Sequence, residues 1–341
     1  MLRRIVPGVA LLLTVGVTAR ALSAAIPVDH LILTIFLSLV LGTVYGVPVW
    51  AQDGVATHKV WLEAGIVVMG ASVALDRVVA AGPVLVVLVI GTVTTTALVV
   101  ELHARYVFAV HEKTGSLLAA GSSICGVSAV VAIAEGIDVD ESRIAYAAAT
   151  VLLFDAAMVF VYPLIGHALG LSSTVFGVWT GLTMFSTGPV TAAGFAFSET
   201  AGEWSVLVKL TRNATIGVAA IAYAVYYARR GSTVGDSETR ESAAVGDGAS
   251  RGLGYLWETF PKFIFGFLVT MLAANSGLLD AGQVASLANA SDWAFLLAFA
   301  GLGLEVDVGE LRAVGYRPVL AVLVALVTVA STTLLIVQTV F

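Results

Sequence analysis

Residues 115–136 read Gly-Ser-Leu-Leu-Ala-Ala-Gly-Ser-Ser-Ile-Cys-Gly-Val-Ser-Ala-Val-Val-Ala-Ile-Ala-Glu-Gly, an apolar stretch with small and polar residues at its centre. The stretch is as long as a membrane-crossing helix, which needs roughly 20 apolar residues. Its central segment, 121–126, disfavours an unbroken helix, because each glycine costs about 1 kcal/mol in a helix interior. Backbone groups freed by a break are tolerated in hydrocarbon only where protein or water covers them. The stretch therefore predicts a broken membrane helix that lines a cavity.

A second interruption lies at a similar depth in the apolar stretch 173–197. Pro189 lacks a backbone N–H and clashes with the preceding helical turn. Two broken helices would present free N–H groups and partial positive charge, which suit an anion. The alternative at both places is a kink, or a close contact between helices through small residues. The candidate binding residues of the two interruptions are Ser122, Ser123, Cys125, Gly126, Thr183, Ser186 and Thr187.

The composition places the whole chain in a membrane. Of its 341 residues, 59% are hydrophobic and 12% are charged, and the mean hydropathy is +0.97. A soluble domain is about half apolar and a quarter charged. The single cysteine excludes an internal disulfide, and no basic stripe indicates nucleic acid. We therefore predict an all-α integral membrane protein in contact with lipid, with no cofactor and no metal site.

Eleven membrane spans are expected from the apolar runs. They cover about 5–25, 30–46, 60–75, 82–103, 115–136, 142–169, 173–197, 203–228, 255–277, 291–306 and 315–340. Twelve lysines and arginines then fall on the side of the N-terminus and three on the other side. Because positive charge accumulates in cytoplasmic loops, the N-terminus is predicted to be cytoplasmic and the C-terminus outside. We expect the first span to be a retained anchor, with a cleaved signal peptide as the alternative.

The chain divides into two helical parts around a polar segment. Residues 1–230 hold spans one to eight, 231–252 form a flexible acidic cytoplasmic linker, and 253–341 hold spans nine to eleven. A weak repeat relates 70–82 to 303–315, where a glycine ends one span and a second glycine opens the next. The copies lie seven spans apart and so in opposite orientations, which predicts inverted repeats typical of secondary transporters. Coincidence between glycine-rich segments is the alternative.

Ionisable residues inside the spans mark the second part of the candidate site. Lys209 and Arg212 share one face of the eighth span, with Asn213 beside them. A cation at the bilayer centre costs about 2.5–3.5 kcal/mol on insertion scales. Asp155 in the sixth span is the expected counter-charge. Two interpretations stay open: Asp155 neutralises one cation permanently, or the positive charge attracts an anionic substrate while Asp155 carries a proton.

Several segments resemble the YeiH-like sulfate exporter family. They are the segment around Ser122, Ser123 and Cys125, the Lys209-x-x-Arg212 pair, and the C-terminal Gly303-Leu-Glu-Val-Asp stretch. The resemblance covers most of the chain after about residue 60. It implies an inner-membrane secondary carrier, distantly similar to the bile-acid symporter and cation–proton antiporter folds, with inverted repeats and broken crossing helices.

The chain departs from this family at 183–190. The family commonly has Thr-Ile-His-Glu-Val-Ala-Gln-Val there, whereas this sequence reads Thr-Met-Phe-Ser-Thr-Gly-Pro-Val. Asp155 stands where a small residue is expected. A proton mechanism that uses the family's His-Glu pair therefore does not transfer to this chain.

The leading hypothesis is a secondary transporter of a small anion such as sulfate or a sulfonate, with a proton or sodium ion as the coupling ion. The alternative is an anion channel or non-coupled pore, although no filter signature is present. An intramembrane enzyme is disfavoured, because Ser122, Ser123 and Cys125 have no paired base in the spans. The sequence leaves substrate, direction of transport and homo-oligomerisation open.

Overall fold

The computed structural model describes residues 2–26, 29–137, 139–231, 262–306 and 315–341, and all regular elements in these ranges are helical. The helices are α1 Leu2–Ser23, α2 His30–Tyr45, α3 Gln52–Val55, α4 His58–Met69, α5 Leu75–Leu102, α6 Glu112–Ser123, α7 Val127–Ile137, α8 Glu141–Ala168, α9 Ser173–Thr183, α10 Thr187–Phe197, α11 Glu199–Asn213, α12 Ile216–Gly231, α13 Phe263–Asn275, α14 Ala281–Glu305 and α15 Tyr316–Val340. Within the described residues, six helical segments are long and apolar enough to cross a membrane. The prediction of an all-α membrane protein is confirmed.

Polar caps start several of these helices in the described part of the chain. The Asp29 carboxylate accepts a hydrogen bond from Leu31 N at the start of α2. Asp280 and Gln283 form a reciprocal capping box at the start of α14. The hydroxyls of Ser172 and Ser198 each accept one backbone hydrogen bond, from Val175 N in α9 and from Ala201 N in α11. Each cap satisfies a backbone N–H that the first helical turn leaves without a partner.

Two hydrophobic clusters divide the molecule. One joins α5–α12 with α15, and its fully buried members include Leu117, Ile133 and Phe176. The other joins α2, α4, α13 and α14 around Ile66 and Phe299. Residues of α8, α10 and α11 also enter this second cluster, so these three helices lie at the junction. A smaller cluster adds α1 and α3 to the second group.

The stretch 173–197 folds back on itself instead of crossing the molecule. A continuous helix would separate residues 173 and 198 by about 37 Å. The hydroxyl of Ser198 instead donates to that of Ser173 over 2.9 Å. The rings of Phe176 and Phe197 stack with their centroids 4.0 Å apart. We call α9–α10 hairpin 2; its tip is formed by residues 184–186.

The stretch 115–136 folds back in the same manner. A Cβ placed on Gly121 would lie 2.9 Å from Val130 Cγ2, although a continuous helix would separate these residues by about 13 Å. Ser116 in α6 hydrogen-bonds to Tyr227 of α12, and Gly136 in α7 lies against Ala224, one turn away. We call α6–α7 hairpin 1; its tip is formed by residues 124–126.

The hairpins refine two sequence-based predictions. The helices break where the sequence predicted, at 121–126 and 183–189, but neither stretch crosses the molecule as a span. The physical reason is that each stretch packs its two halves against each other and against a neighbouring helix. Hairpin 1 opens beside Arg105 and Tyr227, whereas hairpin 2 opens beside Ser198, at the other end of the 32-residue helical segment Glu199–Arg230.

Other predicted segments fall partly outside the described residues. The linker 231–252 is described only at Gly231, which ends α12. The second repeat copy, 303–315, is described only at 303–306 and at Gly315. In the first copy, Gly82 does not open a helix, because α5 already begins at Leu75. The proposed sequence repeat is therefore not supported at this point.

Candidate functional site

The tips of the two hairpins meet in the interior of the molecule. Gly126 ends the turn of hairpin 1 with a φ of +72°, a conformation that glycine adopts without strain. Its N–H donates to Gly121 O over 2.9 Å, which closes the end of α6. A Cβ at Gly126 would overlap the hydroxyl of Ser186 at the tip of hairpin 2. Only a glycine allows the two tips to approach this closely.

Local sequence explains the tip of hairpin 2. Met184 and Ser186 have extended backbones, with ψ of 155° and 152°. Helix α10 begins at Thr187, so Pro189 lies in its first turn. The N–H that proline lacks is not needed there, because the first N–H groups of a helix have no partner inside the helix. Pro189 therefore favours a helix start just before it.

Arg212 of α11 joins the tips from one side and is completely buried. Its Nη1 donates to Gly181 O over 2.9 Å and to Met184 O over 2.8 Å, both at the end of α9. Its Nη2 donates to Ser123 O over 2.7 Å and to Ser122 O over 3.3 Å, and Nε donates to Ser123 O over 3.2 Å. A guanidinium has five N–H donors. All five point at carbonyls of the hairpins.

Lys209 makes equivalent contacts one helical turn away. It is also completely buried, and its Nζ donates to Ile124 O over 2.6 Å and to Met184 O over 3.3 Å. A third hydrogen bond goes to Phe185 O. An ammonium has three donors, and all three are used in this way.

The two cations therefore lie at the C-terminal ends of α6 and α9. The end of a helix carries about half a negative charge on its free carbonyls. Cations at these ends complement both dipoles and offset part of the cost of burying charge. This arrangement differs from the sequence-based prediction, in which Lys209 and Arg212 face an anion directly. The donors of both side chains are used on backbone carbonyls at the hairpin tips.

Asp155 of α8 contacts the opposite end of a hairpin helix. Its Oδ1 accepts a hydrogen bond from Ser186 N over 3.0 Å, at the position that caps α10. Its Oδ2 has no hydrogen-bond partner among the described residues, although Asp155 is only 2% exposed. Among the described residues, no ion pair within 4.0 Å joins Asp155 to Lys209 or Arg212. The first of the two interpretations, a direct ion pair, is thus not seen among the described side chains, and Asp155 instead caps α10.

The remaining predicted residues complete the same region. Asn213 Nδ2 donates to Thr187 Oγ1 over 3.1 Å, and Asn213 Oδ1 is buried without a partner. Ser122 Oγ is likewise buried without a partner. Thr183 accepts a hydrogen bond from the buried Tyr162 over 3.1 Å. Cys125 is a buried free thiol in the turn of hairpin 1. The structure thus brings all the predicted site residues to the two tips and the helices beside them.

A cavity of about 60 Å³ adjoins the tip of hairpin 2. Asp155 and Ser186 supply its polar groups, while α2 and α14 contribute aliphatic walls such as Leu39 and Leu302. A single water needs roughly 10–15 Å³ on this measure, so several waters or a small solute would fit. The cavity lies at the junction between the two hydrophobic clusters.

Sequence reasoning missed the residues around the open end of hairpin 1. Arg105 donates to Glu112 Oε1 and to Ser116 Oγ, each over 2.9 Å. Ser116 also donates to Glu101 Oε1 over 2.7 Å. The spacing of Glu101 and Arg105, four residues apart near a helix end, is a signal that could have identified this network.

Comparison with known proteins gives a family for this arrangement. A family model described as conserved hypothetical protein 698 matches residues 7–322. The chain belongs to the conserved hypothetical protein 698 family. The matched range includes both hairpins, α8 and α11, so the whole candidate site lies within the family's region.

Relatives of this family are described as UPF0324 membrane proteins. The chain is 31% identical over 284 residues to one from Nitratidesulfovibrio vulgaris, covering 83% of this chain and 76% of that protein. It is 30% identical over 328 residues to one from Bacillus cereus, covering 93% and 89%. It is 27% identical over 311 residues to one from Bartonella henselae, covering 91% and 84%. No solved structure matches the chain.

Proposed function

We propose that this member of the conserved hypothetical protein 698 family is a secondary transporter of a small inorganic or organic anion, such as sulfate or a sulfonate. The observation that carries the proposal is the meeting of two helical hairpins, entered from opposite faces, at Gly126 and Ser186. Half-helices that end inside the membrane form the substrate sites of many secondary transporters. The resemblance to the YeiH-like family supports the choice of sulfate.

The hairpins also suggest inverted repeats of a different kind from the sequence repeat. In α6–α8 a hairpin is followed by a long helix, and in α9–α12 a second hairpin is followed by α11 and α12. The two units open on opposite faces. Units related in this way support alternating access. The two repeats can exchange their conformations, so that a site open to one side of the membrane becomes open to the other.

In this proposal the six long apolar segments and the shorter α2, α4 and α13 make nine crossings among the described helices, with two hairpins between them and the N-terminus in the cytoplasm. The C-terminus then lies outside. Because hairpin 1 returns to the face it entered from, Arg143 lies on the same face as Lys113. The cytoplasmic excess of lysine and arginine is therefore larger than in the eleven-span prediction, which supports this orientation.

The charges at the tips favour an anion. The N-termini of α7 and α10 contribute partial positive charge, and Lys209 and Arg212 offset the negative ends of α6 and α9. In this proposal the two cations act on the substrate through space, while backbone N–H groups and the hydroxyl of Ser122 bind it. Asn213 positions the first turn of α10 through Thr187.

Counterflow in proteoliposomes tests this proposal. We expect vesicles preloaded with sulfate to accumulate labelled sulfate with saturation, and Ser122→Ala to reduce the rate at least about tenfold. Such a loss corresponds to about 1.4 kcal/mol in transition-state stabilisation. Ser291→Ala is the matched control, because this buried serine bonds to Gly65 O, away from the tips. Absence of sulfate and sulfonate counterflow, or ohmic single-channel currents, would contradict the proposal.

A further inference from the structure

The N-terminus of α10 already holds an anion that belongs to the protein. Asp155 reaches from α8 and binds Ser186 N, which is the capping position of this 11-residue helix. A helix N-terminus binds a carboxylate, a sulfate or a phosphate by the same free N–H groups and the same dipole. A substrate anion that binds the N-terminus of α10 would therefore find this position already occupied by the carboxylate of Asp155.

The second oxygen of Asp155 distinguishes it from an ordinary cap. Oδ2 is buried and has no hydrogen-bond partner in the described part of the chain, and the residue lines the cavity beside Ser186. A buried acceptor without a donor is costly, so it calls for an explanation such as a water, an ion or a functional role. A proton on Oδ2 would remove this cost and the negative charge together.

We propose that the carboxylate of Asp155 and the transported anion compete for the N-terminus of α10, so that binding of one anion takes up one proton at Asp155. This inference rests on the proposed function and adds its coupling ion. The proton would come from solvent that enters the cavity with the anion, and it would bind to Oδ2. The neutral carboxyl then releases Ser186 N, which is free to donate to the anion.

The groups around Asp155 are consistent with such an exchange. The charged groups that face it are Lys209 and Arg212 of α11, whose donors stay on carbonyls in either state. Within the described cavity lining, the side chains presented by α2, α10 and α14 are aliphatic except for Ser186; they are Ile35, Leu39, Pro189, Leu302 and Val306. Asp155 is thus the titratable group of this lining, and two fixed positive charges remain when it is neutral. The site then favours a second anion.

The linkage has a defined sign. Because the anion binds to the form with a proton on Asp155, sulfate affinity is highest at low pH and falls as pH rises. Where Asp155 is mostly ionised, the sulfate Kd should rise about tenfold per pH unit, and by reciprocity sulfate binding should draw protons from solution. Asp155→Asn mimics the neutral carboxyl and should bind sulfate with an affinity that does not depend on pH.

The experiment measures sulfate binding by calorimetry across pH on purified full-length protein, together with proton uptake in weakly buffered solution with an indicator dye. We expect wild-type protein to take up about one proton per sulfate and Asp155→Asn to take up none. Asp76→Asn is the matched control, because Asp76 is an exposed acid in the first turn of α5. Its pH profile should equal that of the wild type.

The outcomes separate the two proposals. Sulfate binding without proton uptake, or an unchanged pH profile in Asp155→Asn, overturns the competition and leaves the transporter proposal standing. Absence of binding of sulfate and of ethanesulfonate to both proteins at every pH, with counterflow also absent, overturns the proposed function and the competition with it. The competition is supported if the pH dependence of sulfate affinity is lost in Asp155→Asn and kept in the wild type and in Asp76→Asn.

Discussion

Arg212 is a buried cation whose hydrogen-bond partners are all backbone carbonyls. It donates to carbonyls of Ser122, Ser123, Gly181 and Met184, which belong to two hairpins far apart in the chain. Each buried acceptor left without a donor costs about 1–3 kcal/mol. Arg212 therefore holds the tips together whatever its effect on a substrate.

We expect Arg212→Lys to destabilise the protein almost as strongly as Arg212→Met. An ammonium has three donors and cannot reproduce the planar fork of a guanidinium. Thermal unfolding in detergent measures the effect, which should exceed that of the control Arg20→Met. Arg20 forms a partly exposed ion pair with Asp292, and such pairs contribute about 0–1 kcal/mol. Stability equal to wild type in Arg212→Lys would show that the carbonyl contacts contribute little.

Gly126 allows a second comparison at single-residue scale. Gly126→Ala adds backbone strain at φ +72° and an overlap with the Ser186 hydroxyl. Gly170→Ala is the matched control, because Gly170 has a φ of +62° and nothing within 4 Å of the added Cβ. We expect Gly126→Ala to lower the unfolding temperature by clearly more than Gly170→Ala. Equal shifts in the two variants would mean that the tips are not in close contact.

At the scale of the elements, the hairpins are the feature that sequence could not supply. Periodicity and the positions of glycine and proline predicted both interruptions correctly. A broken span and a hairpin have the same local pattern, because each is a helix, a break and a second helix. The decision depends on contacts such as Phe176 with Phe197, which are tertiary.

A disulfide test distinguishes the two arrangements of hairpin 2. In a Cys125→Ala background, Ser173→Cys combined with Ser198→Cys should form a disulfide under mild oxidation, because the two hydroxyls lie 2.9 Å apart. Ser173→Cys combined with Thr187→Cys should not, since these residues lie at opposite ends of the hairpin. Mobility on non-reducing gels after cleavage between the two positions provides the measurement. Failure of the first pair to cross-link would support a spanning helix.

The sequence indicated which residues lie together at the candidate site, but it did not indicate which groups they contact. The sequence identified Lys209, Arg212, Asp155 and both tips, because each is costly in hydrocarbon unless it has a partner. It could not assign the partners. Backbone carbonyls have no sequence signature, so the capture of both cations by helix ends was not visible before the structure.

At the scale of the whole molecule, composition was sufficient to predict the membrane class. The predicted sides of the two termini do not depend on whether the hairpins are counted as spans. Counting one hairpin as a span reverses the predicted orientation of every helix that follows it. Counting the second hairpin as a span reverses the later helices again and restores their orientation. The predicted locations of both termini are therefore the same with eleven spans as with nine crossings and two hairpins. Only the segment between the hairpins changes, so the proposed topology inverts α8 relative to the eleven-span prediction.

Labelling from one side of the membrane tests that inversion. In a Cys125→Ala background, we expect a membrane-impermeant maleimide to label Asp140→Cys only from the cytoplasmic face and Ser172→Cys only from outside. Eleven spans predict the reverse for both positions. Lys113→Cys, cytoplasmic in either arrangement, is the control for vesicle integrity. Labelling of Asp140→Cys from outside would contradict the hairpin topology.

The single thiol of the chain lies in the turn of hairpin 1, where Cys125 is buried beside the lysine and arginine contacts. Cys125 is thus a unique reporter at the contact between the two hairpin tips. Its rate of reaction with a small alkylating reagent gives a direct measure of how often that point opens, in the unmodified wild-type chain. A substrate that holds the tips closed would slow the reaction, and one that parts them would accelerate it.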